Sequence, residues 1–208
     1  KKKTESDEQK AEVLSSFFAS VFTTEPPGPT PLLEPQNIDE PVFTTGMAAS
    51  DIESRLLKLK IDKARGPDGI HPWILRETAA EISKPLSLIF QKSLATGNLP
   101  SQWKKANVSA IFKKGNKQLP NNYRPVSLTC IICKVMESIV RKQIITHMSN
   151  NSLFSQCQYG FVEKRSTTLQ LLHTIEDWIG EIDQGRTVDV CYLDLMKAFD
   201  TVPHRRLL

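Results

Sequence analysis

The strongest constraint on the fold of this chain is a proline-rich stretch near its N-terminus. Six of the 13 prolines among the 208 residues lie between positions 25 and 47. Proline fixes φ and lacks a backbone N–H, so this stretch cannot form a regular helix or a central strand. We therefore predict an N-terminal helical region over residues 1–24, an extended connector over 25–49, and a larger folded domain over 50–208.

Apolar residues at helical spacing predict several helices. One is an amphipathic helix over residues 8–23. A short helix over 52–59 is predicted to begin after Ser50 or Asp51 as its cap. Helical periodicity returns over 74–96, where we expect Pro85 to divide two helices and Gly97 to end the second.

The second half of the chain combines helices with strands. Residues 107–112 and 124–128 are predicted to form two strands. They are joined by a basic loop whose first residues are 113–117. A helix is predicted over 131–144. Another is predicted to begin after Ser166, with Leu169, Leu172 and Ile175 on its buried side, and to end at Gly185. Residues 187–193 are β-branched and aromatic and predict a further strand. The fold class predicted is α+β.

The charges are segregated along the chain. Residues 82–136 hold nine basic and no acidic side chains, whereas 1–81 hold 10 basic and 14 acidic, and 137–208 hold eight basic and nine acidic. A solvated surface normally mixes both signs, so an acid-free block of this length favours a polyanionic partner. Nucleic acid or nucleotide phosphate is the obvious candidate, and a merely soluble surface is the alternative.

The spacing of the cysteines argues against a zinc site and a disulfide framework, and the short apolar runs argue against a membrane helix. Cys130 and Cys133 lack a second ligand pair at zinc-site spacing, so we expect them to pack in the core. Four cysteines without a framework spacing fit a reduced, intracellular environment. No apolar run approaches the roughly 18 residues that a membrane helix requires. We expect no membrane partner and a location in the cytoplasm and nucleus.

Asp194 follows the last predicted strand directly. A carboxylate at a strand end could bind Mg²⁺, which prefers oxygen ligands and assists phosphoryl transfer. A strand-end aspartate is also common as a helix cap or turn residue. One aspartate cannot build a metal site, so these residues alone leave both interpretations open.

Several ordered motifs resemble the reverse transcriptases of non-LTR retrotransposons, the long interspersed elements, especially their jockey-like branch. YLDLMKAFDTV at 192–202 is similar to the first catalytic box of that family. DKARGPDGI at 62–70 resembles the early template-contact box. PSQWKKAN at 100–107 with IFKKGNK at 111–117 resembles the fingers strand, and NYRPVSL at 122–128 the returning strand. QYGF at 158–161 with RST at 165–167 is also family-like.

The resemblance implies the fingers of a right-hand polymerase with the first palm strand, preceded by an N-terminal helix and the proline-rich connector. It implies that Asp194 is catalytic and binds Mg²⁺ or Mn²⁺ together with the Leu195 carbonyl, but only with further carboxylates from a downstream box that this sequence does not contain. Asp200 belongs to the same box, but its implied role is structural.

The resemblance also implies the contacts with substrates. The implied nucleotide-binding residues are Lys113, Lys114, Arg124 and Phe199. Arg124 would clamp the triphosphate and Phe199 would be the steric gate that excludes ribonucleotides, although core packing is its alternative role. The implied template-binding residues are Arg65, Gly66, Lys164 and Arg165. The implied partners are an RNA template, a DNA primer and deoxynucleoside triphosphates.

Two hypotheses about the function remain open. In the first, the chain is a segment of an RNA-directed DNA polymerase from a mobile element. In the second, it is a truncated and catalytically dead relic that at most binds RNA or DNA through its basic fingers. The sequence contains no Asp-Asp pair, whereas the family's second catalytic box requires one, so we expect no DNA synthesis by this chain alone. A third hypothesis, which the motifs favour less, is a host enzyme of telomerase type.

Overall fold

The structure is a computed structural model that describes residues 6–24, 28–29, 42, 46–195 and 197–203. The described residues fall into two compact units, one within 1–145 and 200–208 and the other within 146–199. Most of the predicted connector, 25–49, lies outside the described residues. Among the described residues, no helix is both long and apolar enough to cross a membrane.

Helix α1, Asp7–Val21, confirms the predicted N-terminal helix. Its N-cap is Ser6, whose hydroxyl oxygen accepts a hydrogen bond from the Gln9 N–H at 3.2 Å. Asp7 and Glu8 lie in the first turn, where their negative charge interacts favourably with the positive end of the helix dipole. The helix lies against a short 3₁₀ turn, Pro120–Asn122.

Helices α2, Ala49–Leu57, α3, Pro72–Glu77, and α4, Ala79–Thr96, follow. The predicted caps of α2 were wrong, because the helix begins after Ala48 without a side-chain cap. Pro85 does not divide α4 but lies inside it. The break between α3 and α4 falls at Thr78, whose hydroxyl donates to the Ile74 carbonyl. Burial of the α4 face outweighs the one backbone hydrogen bond that Pro85 removes.

The core of the first unit joins these helices to α5, Ile131–Asn150. Phe90 of α4 is fully buried and meets the Trp103 ring edge-on, with ring centroids 5.6 Å apart. Arg55 of α2 donates a 2.8 Å hydrogen bond to Ser138 of α5. The buried apolar members of this core are Met47, Ile52, Leu56, Leu75, Ala79, Leu86, Phe90, Ile131, Val135, Met136 and Ile139.

The two strands predicted around the basic loop are confirmed. They are β1, Ala106–Phe112, and β2, Tyr123–Thr129, and they pair antiparallel with Ile111 opposite Arg124. With the helices, this small antiparallel sheet gives the α+β class that the sequence predicted. Gly97 ends α4 in the left-handed region, with φ of 65°, also as predicted.

The second unit contains α6, Thr167–Asp183, and the segment between α6 and the short helix α7, Ala198–Thr201. Ser166 caps α6 as predicted, accepting from the Leu169 N–H at 3.2 Å. The predicted buried side of α6 was wrong, because its apolar residues stay exposed, with Leu172 57% and Ile175 47% accessible. An apolar stripe predicts that a helix can pack, but burial also requires a partner surface.

The strand predicted over residues 187–193 was also wrong. The segment has no regular secondary structure, and Tyr192 and Leu193 are 84% and 90% exposed. Strand propensity reflects packing on a sheet, and a strand needs a neighbour for its backbone hydrogen bonds. In the described part of the chain β1 and β2 pair only with each other.

Candidate nucleic-acid and nucleotide-binding site

The β1–β2 hairpin brings three of the predicted nucleotide-binding residues together. Ile111 is opposite Arg124, and the Lys113 N–H donates to the Asn122 carbonyl at 2.8 Å, which extends the pairing by one step. Side chains alternate between the two faces of a strand, so residues 111 and 113 share a face with 122 and 124. Lys113 and Arg124 are therefore diagonal neighbours, and Lys114 follows at the start of the loop.

The loop of the hairpin is held by its own polar groups. Gly115 adopts φ of 90°, a left-handed conformation that favours glycine. Asn116 accepts from the Gln118 N–H through its side-chain oxygen at 2.8 Å, and its carbonyl accepts from the Asn122 side-chain amide, also at 2.8 Å. These hydrogen bonds bring the two ends of the loop together and restrict the positions of its lysines.

Two aromatic rings support the base of this loop. Phe112 and Tyr123, the last and first residues of the two strands, meet edge-on with ring centroids 5.5 Å apart. The Lys117 ammonium lies 5.6 Å from the centre of the Phe112 ring, and the Tyr123 hydroxyl donates to the Lys117 carbonyl at 2.9 Å. Sequence reasoning missed this support, although the aromatic residues on either side of a basic loop were its visible signal.

The electrostatics of the hairpin are those of an anion-binding surface. Lys113, Lys114, Lys117 and Arg124 are all exposed. None of them forms an ion pair within the described part of the chain. Because residues 82–136 contain no carboxylate, no acid close in sequence neutralises these cations. Phosphate oxygens of a nucleotide or a nucleic acid are the natural counter-charges.

The predicted template-contact turn packs at the end of β2. The Gly69 N–H donates to the Gly66 carbonyl at 3.1 Å, and Asp68 accepts from the Ile70 N–H at 3.2 Å. Gly66 is buried, and a Cβ there would lie 2.6 Å from the Cys130 Cα and 2.7 Å from the Thr129 carbonyl oxygen. This close approach gives Gly66 a packing role. Arg65 beside it is exposed, and contact of either residue with a template stays a prediction.

The predicted template residues of the second unit lie on one loop. One terminal nitrogen of Arg165, Nη1, donates to the carbonyl oxygens of Ser155 and Gln156 at 3.0 and 2.6 Å, and to that of Gln158. Its guanidinium also lies 5.5 Å from the Tyr159 ring centre. Arg165 thus holds the loop together, while Lys164 is exposed.

The predicted metal ligands are exposed in the second unit. Asp194 and Leu195 lie in the segment without regular structure, and Leu195 is 77% exposed. A carboxylate and a backbone carbonyl are the kinds of oxygen donor that Mg²⁺ accepts, and Mg²⁺ commonly takes one or two carboxylates plus substrate phosphates. Among the described residues, no three acidic, cysteine or histidine side chains cluster as a metal site. Phe199 lies in α7, and its side chain is outside the described part.

The two buried cysteines confirm the prediction of core packing. Cys130 and Cys133 stand at the start of α5, both buried. Burial, and after it the nearby Glu137 carboxylate, raises the pKa of the Cys133 thiol to about 12. Burial also raises the pKa of Cys130, with the neighbouring Asp68 carboxylate as a further cause. Neither thiol is therefore disposed to act as a thiolate at neutral pH.

Comparison with known families finds one family model that is similar to the second half of the chain. Residues 111–208 match the family model for reverse transcriptase, an RNA-dependent DNA polymerase. The match begins inside β1 and includes the basic loop, β2 and Asp194. Residues 111–208 are thus similar to part of a reverse transcriptase domain, in agreement with the resemblance of the ordered motifs.

Several curated proteins of mobile and retrotransposable elements are similar in sequence to this chain. The chain is 28% identical over 166 residues to the RNA-directed DNA polymerase from mobile element jockey of Drosophila melanogaster, an alignment covering 79% of the chain and 18% of the relative. It is 27% identical over 168 residues to the probable RNA-directed DNA polymerase from transposon X-element of the same fly, covering 80% and 18%. A retrovirus-related Pol polyprotein from the type-1 element R2 of Popillia japonica is 27% identical over 142 residues, covering 68% and 19%. The chain spans less than a fifth of the length of these three relatives.

Proposed function

We propose that this chain supplies the fingers and the beginning of the palm of an RNA-directed DNA polymerase from a mobile element. Its substrates would be an RNA template, a DNA primer and deoxynucleoside triphosphates, in the cytoplasm and nucleus. The observation that carries the proposal is the β1–β2 hairpin, which presents Lys113 and Arg124 on one face within a stretch, residues 82–136, that contains no acidic residue. The polymerase names of the relatives support the same reaction.

In this proposal the hairpin binds the triphosphate of the incoming nucleotide. A guanidinium can donate two parallel hydrogen bonds to phosphate oxygens, which suits Arg124 to clamp and orient the group. Lys113 and Lys114 add positive charge without a fixed direction. The internal bonds of the loop hold these cations in position before the nucleotide arrives, so less conformational entropy is lost on binding.

The remaining roles concern the reacting end of the nucleotide. Together with carboxylates of the family's second catalytic box, Asp194 and the Leu195 carbonyl would help to hold a Mg²⁺ ion, which would stabilise negative charge on the attacking and leaving oxygens of phosphoryl transfer. Phe199 would exclude a ribose 2′-hydroxyl by its bulk. Arg65, Gly66, Lys164 and Arg165 would line the path of the template.

The test is the salt dependence of binding to single-stranded RNA, measured by fluorescence anisotropy. Each lost phosphate contact lowers the slope of log affinity against log salt by about 0.7 for single strands, so replacing four cations that all contact phosphate would lower it by about 3. The test variant replaces Lys113, Lys114, Lys117 and Arg124 by alanine. We expect weaker binding and a flatter slope.

A matched variant separates local contacts from net charge. Replacing Lys58, Lys60, Lys84 and Lys92 by alanine removes the same four charges from exposed positions outside the hairpin. Both variants carry the same net charge, so only a contact surface on the hairpin makes their slopes differ. Equal slopes for the two variants would refute the assignment of the hairpin.

The second candidate function is nucleic-acid binding without synthesis, as in an inactive relic. The lack of an Asp-Asp pair in the sequence favours this reading for the chain by itself. Primer extension with the chain, an RNA template and Mg²⁺ tests this second function, which predicts no extended product. Extended product above that of a heat-inactivated sample would exclude the relic.

A further inference from the structure

Strand β1 has an open edge on the side away from β2. The sheet of the described residues contains these two strands alone. The Lys113 N–H donates to the Asn122 carbonyl, so these two residues form a hydrogen-bonded pair. Bonded and non-bonded pairs alternate along an antiparallel ladder, so every second residue of β1 directs its N–H and C=O away from β2. With the observed register these outward residues are Ala106, Val108, Ala110 and Phe112.

The outer edge of β2 is interrupted, whereas that of β1 is complete. Pro125 is opposite Ala110, so it occupies a non-bonded position and removes no hydrogen bond between the two strands. It does remove one donor from the outer edge of β2. No proline occurs in β1, and residues 107–111 are all exposed. Within the described part of the chain, no hydrogen bond reaches the outward backbone groups of β1.

Lysines lie at both ends of this edge. Lys104 and Lys105 precede β1, and Lys113 and Lys114 follow it, all of them exposed. None of the four forms an ion pair among the described residues. If two copies of the chain paired antiparallel through β1, the lysines at the start of one strand would face those at the end of the other. Such charges prevent self-pairing of an edge but leave its donors and acceptors open to a strand with acidic ends.

From these observations we propose that the edge of β1 binds an extended acidic segment of another protein, which joins the sheet as a third strand. The outward N–H and C=O groups of β1 supply the backbone hydrogen bonds, and the lysines select acidic residues at the ends of the segment. Because both ends of β1 are basic, either strand direction satisfies the charges. A hairpin of two strands is marginally stable in water, and a third strand stabilises it.

This inference goes beyond the proposed function and does not depend on it. The side chains of Lys113 and Arg124 project from one face of the sheet, where the nucleotide is proposed to bind. The added strand instead lies in the plane of the sheet, beside β1, because ladder hydrogen bonds run in that plane. A phosphate ligand and an added strand therefore use different groups of the same hairpin.

The probe is a fluorescein-labelled peptide, EEVTVTVEE, whose binding to the 208-residue chain is followed by fluorescence anisotropy. The peptide EEVPVPVEE has the same charge but lacks donors that a ladder requires, and KKVTVTVKK has the opposite charge. The test variant Val108→Pro removes one outward N–H of β1. Its matched control is Ser127→Pro, because Ser127 is directly opposite Val108 and its N–H points outward from β2. Neither change removes a hydrogen bond between β1 and β2.

We expect EEVTVTVEE to bind more tightly than either of the other two peptides. Val108→Pro should weaken its binding by roughly 2- to 10-fold, from the usual worth of one hydrogen bond, and Ser127→Pro should match the wild type. Isotope-edited infrared spectroscopy of the bound peptide should show the amide I band of a β-strand.

A second pair of variants leaves the backbone intact and decides the question if Val108→Pro disturbs the hairpin. Replacing Lys104 and Lys105 by alanine should weaken binding of EEVTVTVEE and flatten its salt dependence. Replacing Lys58 and Lys60, which are exposed on and beyond α2, removes the same charge elsewhere and should change binding less. Equal effects of the two double variants would contradict the proposal.

Three further results would overturn the proposal. Equal binding of EEVTVTVEE and EEVPVPVEE would show that charge alone attracts the peptide. Equal losses in Val108→Pro and Ser127→Pro would show a general effect on the hairpin. A dimer of the wild type in sedimentation velocity that Val108→Pro abolishes would identify a second copy as the occupant of the edge. In each case the salt dependence of RNA binding would be unaffected, so failure here is distinct from failure of the proposed function.

Discussion

Replacing Gly66 by alanine tests the tightest contact in the first unit. An added Cβ would lie 2.6 Å from the Cys130 Cα and 2.7 Å from both the Cys130 nitrogen and the Thr129 carbonyl oxygen. Favourable carbon–carbon contacts lie near 3.5 Å or more, so the overlap with Cys130 Cα is about 1 Å. All three atoms belong to the backbone, so no rotamer change relieves the clash.

The expected cost follows from what must move. Either the turn from Gly66 to Gly69 shifts off the end of β2, or the start of α5 shifts away from the core. Overpacking of this kind costs about 1–3 kcal/mol, and we expect the upper half of that range because both sides of the contact are backbone. With a urea m-value of about 2 kcal/mol per molar, the unfolding midpoint should fall by about 1 M.

Two other glycines of the same unit provide controls for urea unfolding followed by circular dichroism. At Gly46 the nearest atom to an added Cβ is the Gln91 side-chain nitrogen at 3.9 Å, an ordinary contact. Gly69 has open space but adopts φ of 69°. We expect almost no change for Gly46→Ala and about 1 kcal/mol for Gly69→Ala, from its left-handed backbone. A Gly66→Ala midpoint equal to that of Gly46→Ala would refute the reasoning.

Three further predictions concern other parts of the chain. Of the four cysteines, Cys157 and Cys191 are exposed, so Ellman's reagent should titrate two thiols in the folded chain and four in urea; four rapid thiols without urea would contradict the burial of Cys130 and Cys133. Because burial raises the pKa of Cys133 from 9.0 to about 12, the folded state holds that proton more tightly, and the stability this provides should be complete below pH 9 and decline as the pH rises towards 12. Ser166→Ala should destabilise α6 by about 1 kcal/mol through loss of its N-cap, measured as a lower urea midpoint, and no change would show that the 3.2 Å bond to Leu169 contributes little.

The parts of the fold that sequence predicted correctly are those fixed by neighbouring residues. The hairpin is an example, because alternation in 107–112, the turn residues Gly115 and Asn116, and the returning strand all lie within about 20 residues of one another. The cap of α6 is also local, since the Ser166 hydroxyl oxygen accepts a hydrogen bond from the N–H three residues later. These signals do not depend on the rest of the chain.

The parts that sequence missed depend on packing between distant residues. Pro85 predicted a helix break that did not occur, because the buried face of α4 continues through it. The resemblance implied only a template contact for Gly66, yet its smallness is required by a backbone more than 60 residues away. The stacking of Lys117 on Phe112 needed both the turn geometry and the strand pairing to be known. No local pattern contains that information.

The residues of the candidate site differ in the same way: the cations are positioned by local structure, whereas Asp194 would need a distant strand to position it. The phosphate-binding cations lie on a hairpin that pairs with itself, so their arrangement is complete within 111–124 and can be tested by binding alone. Asp194 instead follows a segment of strong strand propensity that has no pairing partner among the described strands. A strand fixes the direction of a carboxylate only when a neighbouring strand holds its backbone. The proposed nucleotide binding by the hairpin and the proposed metal binding by Asp194 can therefore be tested separately, and loss of the carboxylate in Asp194→Asn should leave the salt dependence of RNA binding unchanged.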